Sequence, residues 1–274
     1  MLQRYEKKGN CYFSIPISHF FRIFAVGMKR YALIGRRLGH SWSQQWFEAL
    51  FQRLGLTNYS YSLCEMASLD GLRQWVEKEQ ISGFNVTIPY KQTIVPLLDE
   101  LSPEAEAIGA VNCVCVNDGK LVGHNTDAPA FGQTLDEAYH STLNTQHSTL
   151  ILGTGGAAHA VAYALKQKNI EYLFVSRKAS CGKENTIGYD RDTIQRVQFD
   201  MIVNATPVGM WPDVDASPWP WPELLNEKCL VYDLIYNPSP TLFLRQAAAH
   251  GAATIDGTAM LHRQAELSWQ LWQQ

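Results

Sequence analysis

The residues best suited to chemistry fall into three short segments. They are Asn85-Val86-Thr87-Ile88-Pro89-Tyr90-Lys91, Ala110-Val111-Asn112 and Gly123-His124-Asn125-Thr126-Asp127. Strand alternation puts Asn85 and Thr87 on one face, and Lys91 falls just past the break that Pro89 imposes. A lysine after a strand is most often a solvated surface residue. Here all three segments carry small polar groups at strand ends, where α/β proteins build their sites. None has metal-ligand spacing or a nucleophile elbow. A lysine near an aspartate without a metal suits proton transfer to a carbonyl or alcohol.

A second constellation is Gly153-Thr154-Gly155-Gly156-Ala157-Ala158-His159, which directly follows the apolar run STLILG and opens an alanine-rich helix. A glycine pattern alone is often only a turn. Between a strand and a helix it lets backbone amides approach a pyrophosphate, and the helix N-terminus adds its partial positive charge. The next strand ends in Ser176-Arg177-Lys178 with no acidic residue to bind a ribose 2′-hydroxyl. Arg177, with Lys178 and Lys183 nearby, offers cations for a 2′-phosphate, so the pattern favours NADP(H).

Strands and helices alternate around these segments as a parallel α/β protein requires. Strands are expected at 31–35, 59–66, 83–89, 148–153, 171–176, 200–204, 230–234 and 252–255. A hairpin is expected over 110–123, turning at Asn117-Asp118-Gly119. Helices are expected after Ser43, at 68–80, 130–140, 156–168 and 258–272, with a polar linker at 140–148. The fold class that follows is α/β in two lobes: an N-terminal substrate domain and a Rossmann-type dinucleotide-binding domain, with a cleft between. Residues 28–127 plus 257–274 are expected to form the first lobe and 128–256 the second. Residues 1–27 read as an extension outside the fold, either an upstream start ahead of Met28 or a flexible tail.

Composition narrows the class further. In 274 residues, 46% are apolar and 18% charged, and 23 Lys and Arg oppose 26 Asp and Glu for a net charge of -3. That balance leaves no global electrostatic footprint for nucleic acid or an anionic membrane. No apolar run reaches the roughly 18 residues of a membrane span. Six cysteines without a C-x-x-C pair read as reduced thiols, hence a cytoplasmic protein. The segment 211–222, with three tryptophans and four prolines, reads either as a rigid excursion packed by its own side chains or as a lid.

From Met28 almost to the C-terminus the chain resembles the shikimate dehydrogenases. The motifs stand in that family's order: Ser41-Trp42-Ser43, NVTIPYK, GAVN at 109–112, NTD at 125–127, GTGGA at 153–157, NATPVGM at 204–210, YDLIYNP at 232–238 and DGTAMLHRQA at 256–265. Any one could arise by chance; eight in register is a specific signature. The resemblance implies reversible NADPH-dependent reduction of 3-dehydroshikimate to shikimate by a monomer or homodimer. It implies that Lys91 and Asp127 form the catalytic pair. Ser41 and Ser43 would grip the substrate carboxylate, and Asn85, Thr87, Asn112, Tyr236 and Gln264 would bind ring hydroxyls and carboxylate. Gly153, Thr154, Gly155, Gly156 and Ala157 would hold the pyrophosphate, with Ser176, Arg177 and Lys178 at the 2′-phosphate. Thr206, Leu234, Gly257 and Met260 would line the nicotinamide half.

Departures from the family pattern are few. His159 stands where many relatives have arginine, Ser176 replaces a commoner asparagine, His124 an aspartate and Cys113 a threonine. The first two touch cofactor preference. Two rivals share most of these motifs: a quinate/shikimate dehydrogenase using NAD, and a catalytically idle dinucleotide-binding paralogue. Retention of both Lys91 and Asp127 speaks against the second.

Overall fold

The computed structural model describes residues 27–39, 41–139, 148–177 and 185–274. Most of the N-terminal extension, most of the 140–148 linker, and Lys178 and Lys183 lie outside the described residues. The first sheet begins with β1 (Lys29–Gly35), α1 (Trp42–Leu54), β2 (Tyr59–Glu65), α2 (Leu72–Glu79) and β3 (Ile81–Val86). It continues through α3 (Tyr90–Thr93), β4 (Glu100–Leu101), α4 (Pro103–Ile108) and the hairpin β5 (Cys113–Asn117) and β6 (Lys120–His124). Strand order is β2-β1-β3-β5-β6-β4, parallel over β2-β1-β3 and antiparallel across the hairpin. Asp118 and Gly119 take φ of 52° and 80° in the hairpin turn, a left-handed pair that asparagine, aspartate and glycine tolerate best.

After α5 (Asp127–Tyr139) comes a second sheet, built from β7 (Ser148–Leu152), α6 (Gly156–Gln167), β8 (Tyr172–Val175), β9 (Thr186–Ile187), α7 (Arg191–Arg196) and β10 (Phe199–Asn204). It ends with β11 (Leu230–Asp233), α8 (Leu242–Ala249), β12 (Ala253–Ile255) and the closing helix α9 (Thr258–Leu271). Its order is β12-β11-β10-β7-β8-β9, with every described pairing parallel. Order reverses between β7 and β10, so the glycine loop after β7 sits at the switch point where such sheets take ligands. The chain is thus an α/β protein of two lobes.

Several elements differ in extent from the pattern-based expectation. The strand expected over 83–89 stops at Val86, because after a last bond from Thr87 N to Ile34 O of β1 the chain turns and Tyr90 N bonds back to Thr87 O. The helix expected from 68 starts at Leu72, after a turn in which Ser68 bonds Asp70 and Gly71 adopts φ of 76°. The helix expected from 130 starts at Asp127, because Asn125 Oδ1 caps the amide of Ala128. The short α4, capped by Ser102 with Pro103 at its first position, has no counterpart in the expected elements.

Helices α5 and α9 are shared between the lobes. Met260 and Leu267 of α9 pack with α5, α6 and the second sheet, while Ala265 and Trp269 lie among Tyr31, Phe47, Phe51 and Tyr61 of the first lobe. Trp272 Nε1 donates to Val114 O at 3.0 Å, and its ring covers Gly83 so closely that a Cβ there would sit 2.5 Å from the ring nitrogen. The tryptophan-rich segment is pinned by Trp219, which is buried in the second lobe and donates from Nε1 to Trp221 O at 2.7 Å. Trp211 stays 62% exposed. The excursion is therefore anchored at its far end in the core of the second lobe, against Phe199.

Asp233 closes the ends of β10 and β11. It is fully buried and accepts from Asn204 Nδ2 (2.9 Å), Ile235 N (3.1 Å) and Thr241 Oγ1 (2.7 Å). Burial pushes its carboxyl up to about 6, against the lowering effect of those donors. The folded protein holds this proton more tightly than the unfolded chain does, so Asp233 favours folding most when protonated. That advantage is lost as pH rises from about 4 through about 6. The unfolding free energy of wild type relative to Asp233→Asn, from urea titrations, should fall by about 2 kcal/mol between about pH 4 and pH 7. A difference that is flat or rises with pH contradicts this.

Candidate active site

The structure brings the lysine and the aspartate together. Lys91 Nζ donates to Asp127 Oδ2 at 2.7 Å, with the two side chains 17% and 7% exposed. Each arrives on a helix at a strand end: Lys91 on the short α3 after β3, Asp127 at the first position of α5 after β6. Backbone pairing fixes their separation, since Val111 N bonds Lys91 O at 2.7 Å and Asn112 N bonds His124 O at 3.1 Å.

The other aspartate oxygen is held by Asn112. Its Nδ2 donates to Asp127 Oδ1 (2.9 Å) and to Thr126 Oγ1 (2.8 Å), while its Oδ1 accepts from Thr126 N at 2.6 Å. Asn85 lies behind this group. Its Nδ2 donates to Asn112 O (3.1 Å) and Ser268 Oγ (2.9 Å), and its Oδ1 accepts from Tyr61 OH (2.9 Å). Both amide protons of Asn85 are committed inside the protein, and the residue is buried. In this arrangement it braces Asn112 and has no proton left to offer a ligand.

Ser41 caps α1, its Oγ accepting from Ser43 N at 3.2 Å, so both hydroxyls lie at a helix N-terminus. The capping oxygen's own proton and the amide-rich helix end suit a carboxylate. Thr87 follows β3, where its methyl packs against Gly35. Gln264 lies on α9 and donates to Leu261 O at 3.0 Å. Tyr236 stands beyond β11 in the second lobe, 38% exposed.

The glycine loop meets the fit expected of a dinucleotide cradle. Gly153 takes φ of 102°, and α6 begins after Gly155 with no side chain capping it, leaving amides of its first turn to a ligand. Thr154 and Gly155 are exposed, Gly156 and Ala157 half-buried. Thr206 faces the loop: its methyl lies 3.0 Å from the position of a Cβ on Gly153, and its hydroxyl donates to Asn204 Oδ1 at 2.7 Å. Gly257 lies against the backbone after β11, where a Cβ would fall 2.1 Å from Leu234 O. Leu234 and Met260 pack in one cluster. Ser176 is half-buried, and Arg177 is exposed just past β8.

The two halves of the site touch. A Cβ on Gly156 would lie 2.9 Å from Lys91 Cβ and 3.2 Å from Ala110 Cβ, so the start of α6 rests on the lysine's own stem. One turn on, His159 Nδ1 meets Ile108 O at 3.3 Å at the end of α4. Tyr61, Thr126 and Ser268 belong to the network but not to the expected site. Thr126 stands inside the 123–127 segment without being given a part, Ser268 is signalled only by its spacing four residues after Gln264 on one face of a helix, and Tyr61 by nothing. Among the described residues no group of three or more His, Cys, Asp or Glu is placed to hold a metal ion, and no helix is long and apolar enough to cross a membrane.

Comparison with known proteins supplies the rest. A family model described as the shikimate dehydrogenase substrate binding domain matches residues 33–114. A relative named shikimate dehydrogenase (NADP(+)), from Methanococcus maripaludis, is 37% identical over 257 residues, covering 89% of this chain and 91% of its own. The solved shikimate 5-dehydrogenase of Thermus thermophilus in complex with NADP(H) and shikimate superposes with a TM-score of 0.77. It shares 34% identity over 89% of this chain and 93% of that one. Quinate dehydrogenase from Corynebacterium glutamicum, solved with NAD, has a TM-score of 0.76 and 30% identity over 90% of this chain and 94% of its own. Similarity at this level runs through both lobes, and the chain belongs to the shikimate dehydrogenase family.

Proposed function

We propose that this protein is an NADP-dependent oxidoreductase that interconverts 3-dehydroshikimate and shikimate in the cytoplasm. The observation that carries the reading is the Lys91–Asp127 pair at 2.7 Å, set at strand ends against the start of the glycine-loop helix. Residues 28–127 with 257–274 serve as the substrate domain and 128–256 as the cofactor domain, joined by α5 and α9.

Each residue's part follows from its chemistry. Shikimate carries one carboxylate and several hydroxyls, so recognition must come from hydrogen bonds, and a site of Ser, Thr, Asn, Gln and Tyr rejects analogues that leave those groups unpaired. Ser41 and Ser43 take the carboxylate at the head of α1. Thr87, Tyr236 and Gln264 take the hydroxyls. Asn112, whose two amide protons are also committed, can only accept from one through Oδ1, and Asn85 acts by holding Asn112. Gly153 to Ala157 cradle the pyrophosphate, Ser176, Arg177 and Lys178 the 2′-phosphate, and Thr206, Leu234, Gly257 and Met260 the nicotinamide half. The bound nicotinamide supplies hydride chemistry; the protein supplies placement and a proton. In reduction the Lys91 ammonium donates its proton to the substrate oxygen as negative charge grows there. In oxidation the neutral amine accepts it. Asp127, with Oδ1 held by Asn112, turns Oδ2 toward Lys91 and so aims the amine.

Purified protein assayed by nicotinamide absorbance with shikimate or quinate, and NADP or NAD, should turn over shikimate with NADP fastest. Binding of both ligands without turnover would mean an idle paralogue, and faster quinate oxidation with NAD would mean the other enzyme. Lys91→Ala should lower kcat by about 10²–10⁴-fold while the Kd for shikimate moves by no more than about threefold. Unchanged turnover removes Lys91 from the chemistry. Arg177→Ala should raise the KM for NADP by about tenfold or more, the scale of one lost hydrogen bond to a charged group, and leave that for NAD unaltered. Equal effects on both cofactors would place the 2′-phosphate elsewhere.

A further inference from the structure

Ser268, on the closing helix, is fully buried, and Gln264 O, Asn85 Nδ2, Thr126 Oγ1 and the Cys113 thiol converge on its hydroxyl. Its Oγ donates to Gln264 O, one turn earlier, at 2.9 Å. That commits its single proton. Asn85 Nδ2 therefore donates to Ser268 Oγ at 2.9 Å, and the 3.3 Å contact with Thr126 Oγ1 has Thr126 as its donor. Thr126 has then spent its own proton and accepts from Asn112 Nδ2 at 2.8 Å. The second proton of Asn112 Nδ2 goes to Asp127 Oδ1 at 2.9 Å.

The hydrogen bonds from α9 to the aspartate thus run in one consistent direction, Ser268 anchoring Thr126 and the Thr126 amide with the carboxylate orienting Asn112. Were Asn112 turned over, its oxygen would face the Asp127 carboxylate and its NH₂ would face the Thr126 amide. Both contacts would be repulsive. A carboxylate with one oxygen held presents the other in a fixed place, and here that oxygen meets Lys91.

We propose that Ser268 is a positioning residue for the reaction, acting through Thr126 and Asn112 to hold Asp127 in the orientation that aims Lys91. The proposal rests on the function argued above. Its reach is the reaction step rather than substrate affinity, because Ser268 is enclosed by protein.

Steady-state kinetics of Ser268→Ala, Thr126→Val and the double variant test it. Each single change should lower kcat by about tenfold, with the KM for shikimate and for NADP within about twofold of wild type. The double variant should be no slower than the slower single one, because both cut the same relay. A hydroxyl that only stabilises the fold would lower the melting midpoint and leave kcat at 25 °C near wild type, which overturns the proposal. So does a rise in KM in place of a loss in kcat, or multiplicative effects in the double variant. If Ser268→Ala does not fold, Thr126→Val decides by the same split. Wild-type protein inactive on shikimate with either cofactor overturns the functional reading as well; an active wild type with unaltered variants overturns this proposal alone.

Discussion

Burying an ammonium against a carboxylate costs more in lost hydration than their attraction returns, unless the remaining lone pairs are also met. At Lys91–Asp127 they are. One carboxylate oxygen takes the lysine and the other takes Asn112. Asn112 is held in turn by Thr126 and through Asn85, whose oxygen is met by Tyr61. The polar side chains at these strand ends form a support two layers deep, and each layer is buried. Such a network is worth having only when complete, since a half-satisfied one leaves an unpaired charge in a poorly solvating place. The lysine keeps the larger exposure of the pair, so its nitrogen is the member left open to a ligand.

The same lysine marks where the lobes meet. Gly156 lets α6 begin against the Lys91 stem, a contact any Cβ would obstruct. Elsewhere Arg263 of α9 pairs with Glu137 of α5 at 2.8 Å, and Lys168 beyond α6 with Asp136 of α5 at 2.6 Å. Helix α5 therefore has three jobs: its first residue pairs with Lys91, its apolar face belongs to the second lobe, and its polar face ties in both neighbours. A domain boundary drawn at its first residue follows the chain but not the packing, because the packing is continuous across it.

What the sequence could tell follows from how local each cause is. Strands β1, β7 and β10, the glycine loop and the Asp118-Gly119 turn depend on apolar runs and backbone permissions within a few residues, and they stand where the pattern puts them. Lys91, Asn112 and Asp127 were legible as a group because strand-end loops in an α/β sheet converge. Asn85 was legible as a site residue but not as one whose amide protons are all engaged by the protein. That depends on Asn112 and Ser268, 27 and 183 residues away. Helix α5 starts earlier than expected and the short α4 escapes the pattern for the opposite reason: one side chain, Asn125 or Ser102, sets where a helix starts, and periodicity averages over it.

The long separations also bear on how the site comes to exist. Asn85 and Thr126 both reach Ser268, 183 and 142 residues further on, and the Trp272 ring reaches Val114 across 158. The first sheet can form its β2-β1-β3 core from neighbouring segments. Its buried amides stay unmatched until the last helix of the chain returns across the second lobe. Closing so long a loop costs entropy that only later contacts offset. The apolar faces of α9, with Met260 toward one lobe and Trp269 toward the other, provide those contacts. A helix that must satisfy two cores has little freedom in rotation or register. The hydroxyl it carries at Ser268 is therefore delivered to Asn85 and Thr126 with the precision that a buried polar relay demands.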